Sequence, residues 1–196
     1  VRRGGPGNHE FDWGQDTLRA RVRESRFPWL AANLFVAGTG RQPEWSRPWV
    51  MIERGGVRTA VIGIALSTTP EIVLRGRTEG LEFGPEAPAI DEAARAARAA
   101  GADFVVVTAH VGAFCEQSGT APDEASTGCQ GEILEIAESV WPTLAKAYEE
   151  GAKSVGAETR GVHRPGRAGR SGVRACCGAG GSGEGNGVRR IAIHLA

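Results

Sequence analysis

No apolar run in this 196-residue sequence approaches the ~18 residues that a membrane-spanning helix requires, so no helical membrane span is expected. Cysteine is scarce, and four residues are too few to define a disulfide scaffold; Cys115 and Cys129 flank one polar loop and could close it in an oxidising compartment. Net charge is missing too. The 23 Lys and Arg balance 23 Asp and Glu, which gives no reason to expect nucleic acid or an anionic membrane as the main partner. Large apolar side chains vanish from one region: residues 151–190 contain no Leu, Ile, Met, Phe, Trp or Tyr, while 12 of those 40 positions are glycine and seven are arginine. With no apolar area to offset an ordering cost of about 1–2 kcal/mol per residue, 151–196 is expected to be a disordered, basic, Gly/Arg-rich tail. Only 191–195 alternates as a strand would. The tail lacks interleaved aromatics, which argues against specific nucleic-acid binding, and a shift of reading frame in a G+C-rich gene is one account of its composition. The chain opens at Val1 with no Met and no n-region followed by an h-region, which suggests a fragment or a chain whose signal peptide has been removed.

The remaining residues, 1–150, are different material. The tail carries eight Lys or Arg and two acids, a net of +6, which leaves −6 for 1–150. Residues 16–25 form a short charged helical stretch that Phe27-Pro28 ends, because the residue before proline is pushed out of the helical region. Residues 29–36 read as an apolar strand interrupted by Asn33. The runs 49–53 and 57–66 are β-rich and separated by Arg54-Gly55-Gly56, a hairpin turn; the second becomes continuously apolar and predicts a central strand. Residues 88–100 predict an alanine-rich helix, with an exposed face carrying Arg95 and Arg98, closed by Gly101. Residues 104–108 predict a strand with His110 just past its end. A further amphipathic helix is expected over 130–140, with Ile133, Leu134, Ile136 and Ala137 on one side, and Pro142 is expected to break it before another turn of helix to residue 150. Trp45, Trp49 and Trp141 read as core or interface residues. This order predicts an α/β layered domain over 1–150 with a mixed, largely buried sheet and functional residues where strands end.

The sharpest local feature is Gly7-Asn8-His9-Glu10-Phe11-Asp12-Trp13-Gly14. An amide oxygen, an imidazole and carboxylates crowd into a glycine-bounded turn, and these are ligand and acid/base types; by composition alone a solvated turn with capping side chains fits as well. These eight residues match the G-N-H-E-F-D-x-G signature of the 5′-nucleotidase branch of the calcineurin-like metallophosphoesterases. Phe27-Pro28-Trp29-Leu30-Ala31-Ala32-Asn33 is similar to its F-P-x-L-x-A-N segment. Gly63 through Thr69-Pro70-Glu71 resembles its G-x-x-x-x-x-T-P-E stretch, and Val105-Val106-Val107-Thr108-Ala109-His110-Val111-Gly112 resembles its strand ending in S-H-x-G. The resemblance covers about residues 7–140 and carries four segments in family order.

It implies part of an α/β/β/α layered sandwich and a hydrolase of phosphate esters, most plausibly nucleoside 5′-phosphates, with a periplasmic or extracellular setting. It implies two divalent ions drawn from Mn, Zn, Mg, Fe or Co, with Asn8 and His110 as ligands of one shared metal. His9 then contacts the phosphoryl group or the leaving oxygen, while Glu10 and Asp12 brace the loop. The sequence departs from the family in lacking the Asp-x-His, Gly-Asp and Gly-His-x-His motifs and the C-terminal domain that grips the base. His163 has no second histidine two residues away and is not counted as a ligand. Two neutral donors without a bridging carboxylate predict weak or absent metal binding. Three expectations therefore compete: a phosphoesterase carrying part of a dinuclear site, a catalytically inactive remnant, and a non-specific binding module acting through the basic tail.

Overall fold

A computed structural model describes residues 5–114 and 130–154, together with the backbone of 175–177 and 189–193. The chain enters through a 3₁₀ turn, Asn8–Phe11, and helix α1, Gln15–Glu24. Short strands β1 (Trp29–Leu30), β2 (Leu34–Val36) and β3 (Ser46–Arg47) follow. The run expected as one strand over 29–36 is thus divided at Asn33, and its halves join different sheets: β1 pairs with β3. The reason is the fully buried Asn33 side chain. Its Nδ2 donates to the carbonyls of Ala65 (2.7 Å) and Gly84 (2.9 Å), and its Oδ1 accepts from the Ala65 N–H at 2.9 Å, so the chain turns there to satisfy the amide.

Strands β4 (Trp49–Arg54) and β5 (Val57–Ile64) form the expected hairpin. Gly55 and Gly56 both have positive φ, as a two-residue turn of this kind requires. A single helical turn, α2 (Thr69–Ile72), leads to β6 (Leu81–Phe83), which pairs antiparallel with β2. Helix α3 (Glu86–Ala99) crosses over to β7 (Phe104–Ala109), which lies parallel to β5. The continuously apolar β5 sits between β4 and β7, as its composition predicted, with Ala60 through Ile64 all buried. Strand β8 (Gly112–Ala113), helix α4 (Glu132–Ser154) and strands β9 (Ala175–Cys177) and β10 (Arg189–Ile193) complete the described elements. The main sheet runs β4-β5-β7-β10-β8, with β9 on β10, and is mixed. The expected disordered tail over 151–196 is therefore structured in part: 151–154 end α4, where Gly151 and Ala152 are buried, and 175–177 and 189–193 are strands; the rest of 151–196, His163 included, lies outside the described residues.

The last helix departs from expectation in two ways. Pro142 does not break it: α4 runs through Pro142 to Ser154. Ile133, Ile136, Ala137 and Val140 before the proline, and Leu144, Ala147, Gly151 and Ala152 after it, continue one buried face against α3 and β7, while Pro142 itself is exposed. Leu134 is not on that face; it is exposed. The expected exposed face of α3 holds at Arg95 but not throughout. Ala93, Ala94 and Ala97 are buried, and Arg98 is half-buried, donating to the carbonyls of Ala102 and Asp103 and pairing with Glu150 on α4 at 3.0 Å. One core joins α3, α4 and the sheet, with Trp49 and Trp141 packed at its margin. A second gathers Phe11, Leu18, Ala31, Leu34 and Ala65, with Trp45 beside it.

Candidate functional site

The site forms at the end of the sheet where β5 and β7 finish. Gly5 lies against Leu30 and Ile64, so the entering segment passes the last residue of β5 before it turns. Phe11 anchors that turn: its side chain is fully buried and meets Phe83 edge to face, ring centroids 5.6 Å apart. Glu10 folds back to accept the Gly7 N–H at 2.7 Å, which satisfies a donor that the short helix leaves orphaned. With Phe11 inward, Asn8 is left half-buried and His9 exposed.

His110 follows β7 and lies at the same place. Its Nδ1 and Cγ stand 2.8 and 2.9 Å from where a Cβ on residue 7 would be, so the imidazole packs on the bare backbone of Gly7, next to Asn8. Residues about a hundred positions apart thereby share one corner. His9 Nδ1 is 2.8 Å from Asp12 Oδ2, an arrangement in which Nδ1–H donates to the carboxylate and Nε2 is left for a ligand. Asp12 thus braces the histidine rather than the backbone, and Glu10 braces the backbone. Cys115 and Cys129 lie outside the described residues; their chain neighbours Phe114 and Gln130 exchange two backbone hydrogen bonds of 2.8 Å.

Further groups were not foreseen from the sequence. Ser67, just beyond β5, donates its N–H to Glu86 at 2.6 Å, and Glu86 is buried at the start of α3. Burial, with the Glu86 and Glu135 carboxylates, pushes the Glu132 carboxyl at the start of α4 above its usual range. Trp13 is the most exposed large apolar side chain among the described residues, and Arg77 reaches within 2.8 Å of the Cβ position on Gly14. The only sequence signal for Trp13 was its place at the variable position of the turn signature.

An amide oxygen and an imidazole suit a divalent cation, but among the described residues no group of three or more His, Cys, Asp or Glu gathers where it could hold one. The described donors do not amount to a dinuclear centre. Among the described residues no helix is long and apolar enough to cross a membrane.

The family described as bacterial capsule synthesis protein PGA_cap matches residues 7–128. Protein UshA of Salmonella pullorum is 36% identical over 66 residues, 34% of this chain and 12% of the relative, so the chain spans a small part of that protein's length. A 5′-nucleotidase precursor from Thermus thermophilus superposes with a TM-score of 0.50 at 28% identity, over 56% of this chain and 21% of that one. The calcineurin-like phosphoesterase YfkN from Bacillus subtilis gives a TM-score of 0.52 at 23% identity over 70% of this chain and 41% of that one, a likeness of fold. On the turn, the sheet and these matches together, the chain belongs to the PGA_cap family and to the 5′-nucleotidase branch of the calcineurin-like metallophosphoesterases.

Proposed function

We propose that this chain contributes to hydrolysis of phosphate monoesters, of which nucleoside 5′-phosphates are the favoured class, outside the cytoplasm. The observation that carries the reading is the corner where His110 packs on Gly7 beside Asn8 while the same turn presents His9 braced by Asp12. Asn8 and His110 are the ligand types for one of the divalent ions such phosphoesterases use; with two neutral donors, retention of that ion by this chain is expected to be weak. His9 faces the leaving oxygen through Nε2, and the Asp12 carboxylate at its Nδ1 fixes the ring orientation. Glu10 keeps the turn shaped by holding the Gly7 N–H. The capsule description of the matching family agrees with a substrate met at the cell envelope.

The test is turnover of AMP and p-nitrophenyl phosphate with Mn²⁺ or Zn²⁺ by the full chain, His9→Ala and His110→Ala. The expected result is slow, metal-dependent hydrolysis that falls about 10²-fold or more in His9→Ala and loses its metal response in His110→Ala. Equal rates in all three proteins, or no turnover in any, would leave the chain as a non-catalytic member of its family.

A further inference from the structure

We propose that the cleft between the end of α1 and strand β3 binds an acidic glycan, a saccharide chain whose rings carry carboxylates. The cleft encloses about 670 Å³, a volume typical of ligand sites. It shares no residue with the corner of Asn8, His9 and His110, so the inference stands apart from the phosphoesterase reading. Its walls are aromatic. Phe27 stacks on Trp29 with ring centroids 5.9 Å apart and planes 27° from parallel. Trp29 pairs with Ser46 in the β1–β3 register, which sets Trp45 and Arg47 to either side of it along the strand. Trp29 and Trp45 are rooted in the core of Phe11, Leu18 and Leu34, yet all three rings remain only half-buried. Ser25 fixes this wall in advance: its hydroxyl donates to the Val22 carbonyl at 2.7 Å and accepts the Trp29 indole N–H at 3.0 Å. With that N–H already donated, what Trp29 has left for a ligand is its ring surface. The negative face of an aromatic ring attracts polarised C–H groups, and one face of a pyranose presents several.

The rim carries charge of the matching kind. Arg26 and Arg47 are exposed at the cleft, and neither pairs with a carboxylate among the described residues. Residues 1–150 carry a net −6, but 19–26 hold four arginines and a single acid, Glu24, which Arg21 engages at 2.6 Å. Arg19 precedes Val22 by three positions and so continues the face of α1 that enters the cleft. A guanidinium grips a carboxylate through two parallel N–H donors, which suits the acid group of a uronate ring. Glu44, exposed on the same cleft, selects among anions. Its carboxylate accepts from hydroxyls, which every sugar ring supplies, whereas an oligonucleotide or an acidic peptide brings mainly further negative charge and is repelled there. Ring faces, paired cations and one acceptor thus meet the C–H face, the carboxylate and the hydroxyls of one sugar unit.

The experiment is calorimetric titration of the full chain, an Arg26→Ala/Arg47→Ala double variant and Glu44→Ala with four probes: trigalacturonate, its methyl ester, triglutamate and a short oligothymidylate. In the unaltered chain trigalacturonate is expected to bind about tenfold or more tighter than the other three, since the ester lacks the charge and the last two lack the sugar ring. The double variant should bring trigalacturonate within about threefold of its ester, and Glu44→Ala should weaken trigalacturonate about threefold or more without weakening triglutamate. All three replaced side chains are exposed, so the variants should fold normally, which a thermal melt checks. Triglutamate or oligothymidylate binding as tightly as trigalacturonate would make the cleft a surface for anions in general and overturn the glycan assignment. A preference for trigalacturonate over its ester that survives loss of both arginines, or no binding of trigalacturonate by the unaltered chain, overturns it as well.

Discussion

A single buried amide ties together the segments that follow β5 and β6. Asn33 spends its two hydrogen-bonding atoms on Ala65 and Gly84, tying the β1–β2 crossing to the residue after β5 and the residue after β6. Replacing Asn33 with alanine strands buried backbone groups on both sides, so Asn33→Ala should lose about 2–4 kcal/mol, read as a lowered denaturant midpoint with an unchanged slope. At Gly63 the reason for glycine is closeness rather than conformation: a Cβ there would overlap the Leu30 carbonyl, where β1 crosses β5. Both residues were visible in the sequence as parts of recurring segments. Their work was not, because a buried amide's partners come from loops more than thirty positions away. His9 and Asp12 were legible for the opposite reason, since partners three residues apart meet within one turn.

Among the elements, α4 shows where local rules lose. A proline inside a helix costs about 3 kcal/mol, and on propensity alone the helix should stop. It continues because the buried face on either side of Pro142 packs against α3 and β7, and that burial outweighs the local penalty. Pro142→Ala should therefore raise stability by about 1–3 kcal/mol, detectable as a higher thermal midpoint, with no change of fold. The β4–β5 hairpin and the parallel β5–β7 pair followed the sequence closely, since a two-glycine turn and uninterrupted β-branched runs leave few alternatives. The β1–β2 run did not, because seven apolar positions around one Asn do not reveal that the chain changes sheets midway.

For the whole molecule, two carboxylates set opposite trends with pH. The Arg58 N–H and the Ser154 hydroxyl, with the Arg58 and Arg98 charges, hold Asp103 below the usual range, so its contribution is present above the ordinary carboxylate pKa and lost as pH falls through the lowered value. Glu132 is raised by burial beside Glu86, so its contribution is full when it is protonated and is lost as pH rises through the raised value. Thermal melts across pH should show Glu132→Gln more stable than the unaltered chain near neutrality and Asp103→Asn with a flattened acid limb. A Glu132→Gln melt that is unchanged at neutral pH would contradict the first expectation.

Composition and pattern alone determined the layered α/β class, the central strand, the hairpin and the chemical character of the 7–14 turn, since each follows from neighbours within a few positions. Tertiary structure decided that His110 lies on Gly7, that Asn33 divides a strand, that α4 passes its proline and that Trp13 stands exposed beside Asp12. Those outcomes depend on contacts and burial created only when distant segments pack, and neither periodicity nor composition encodes which distant segment that will be.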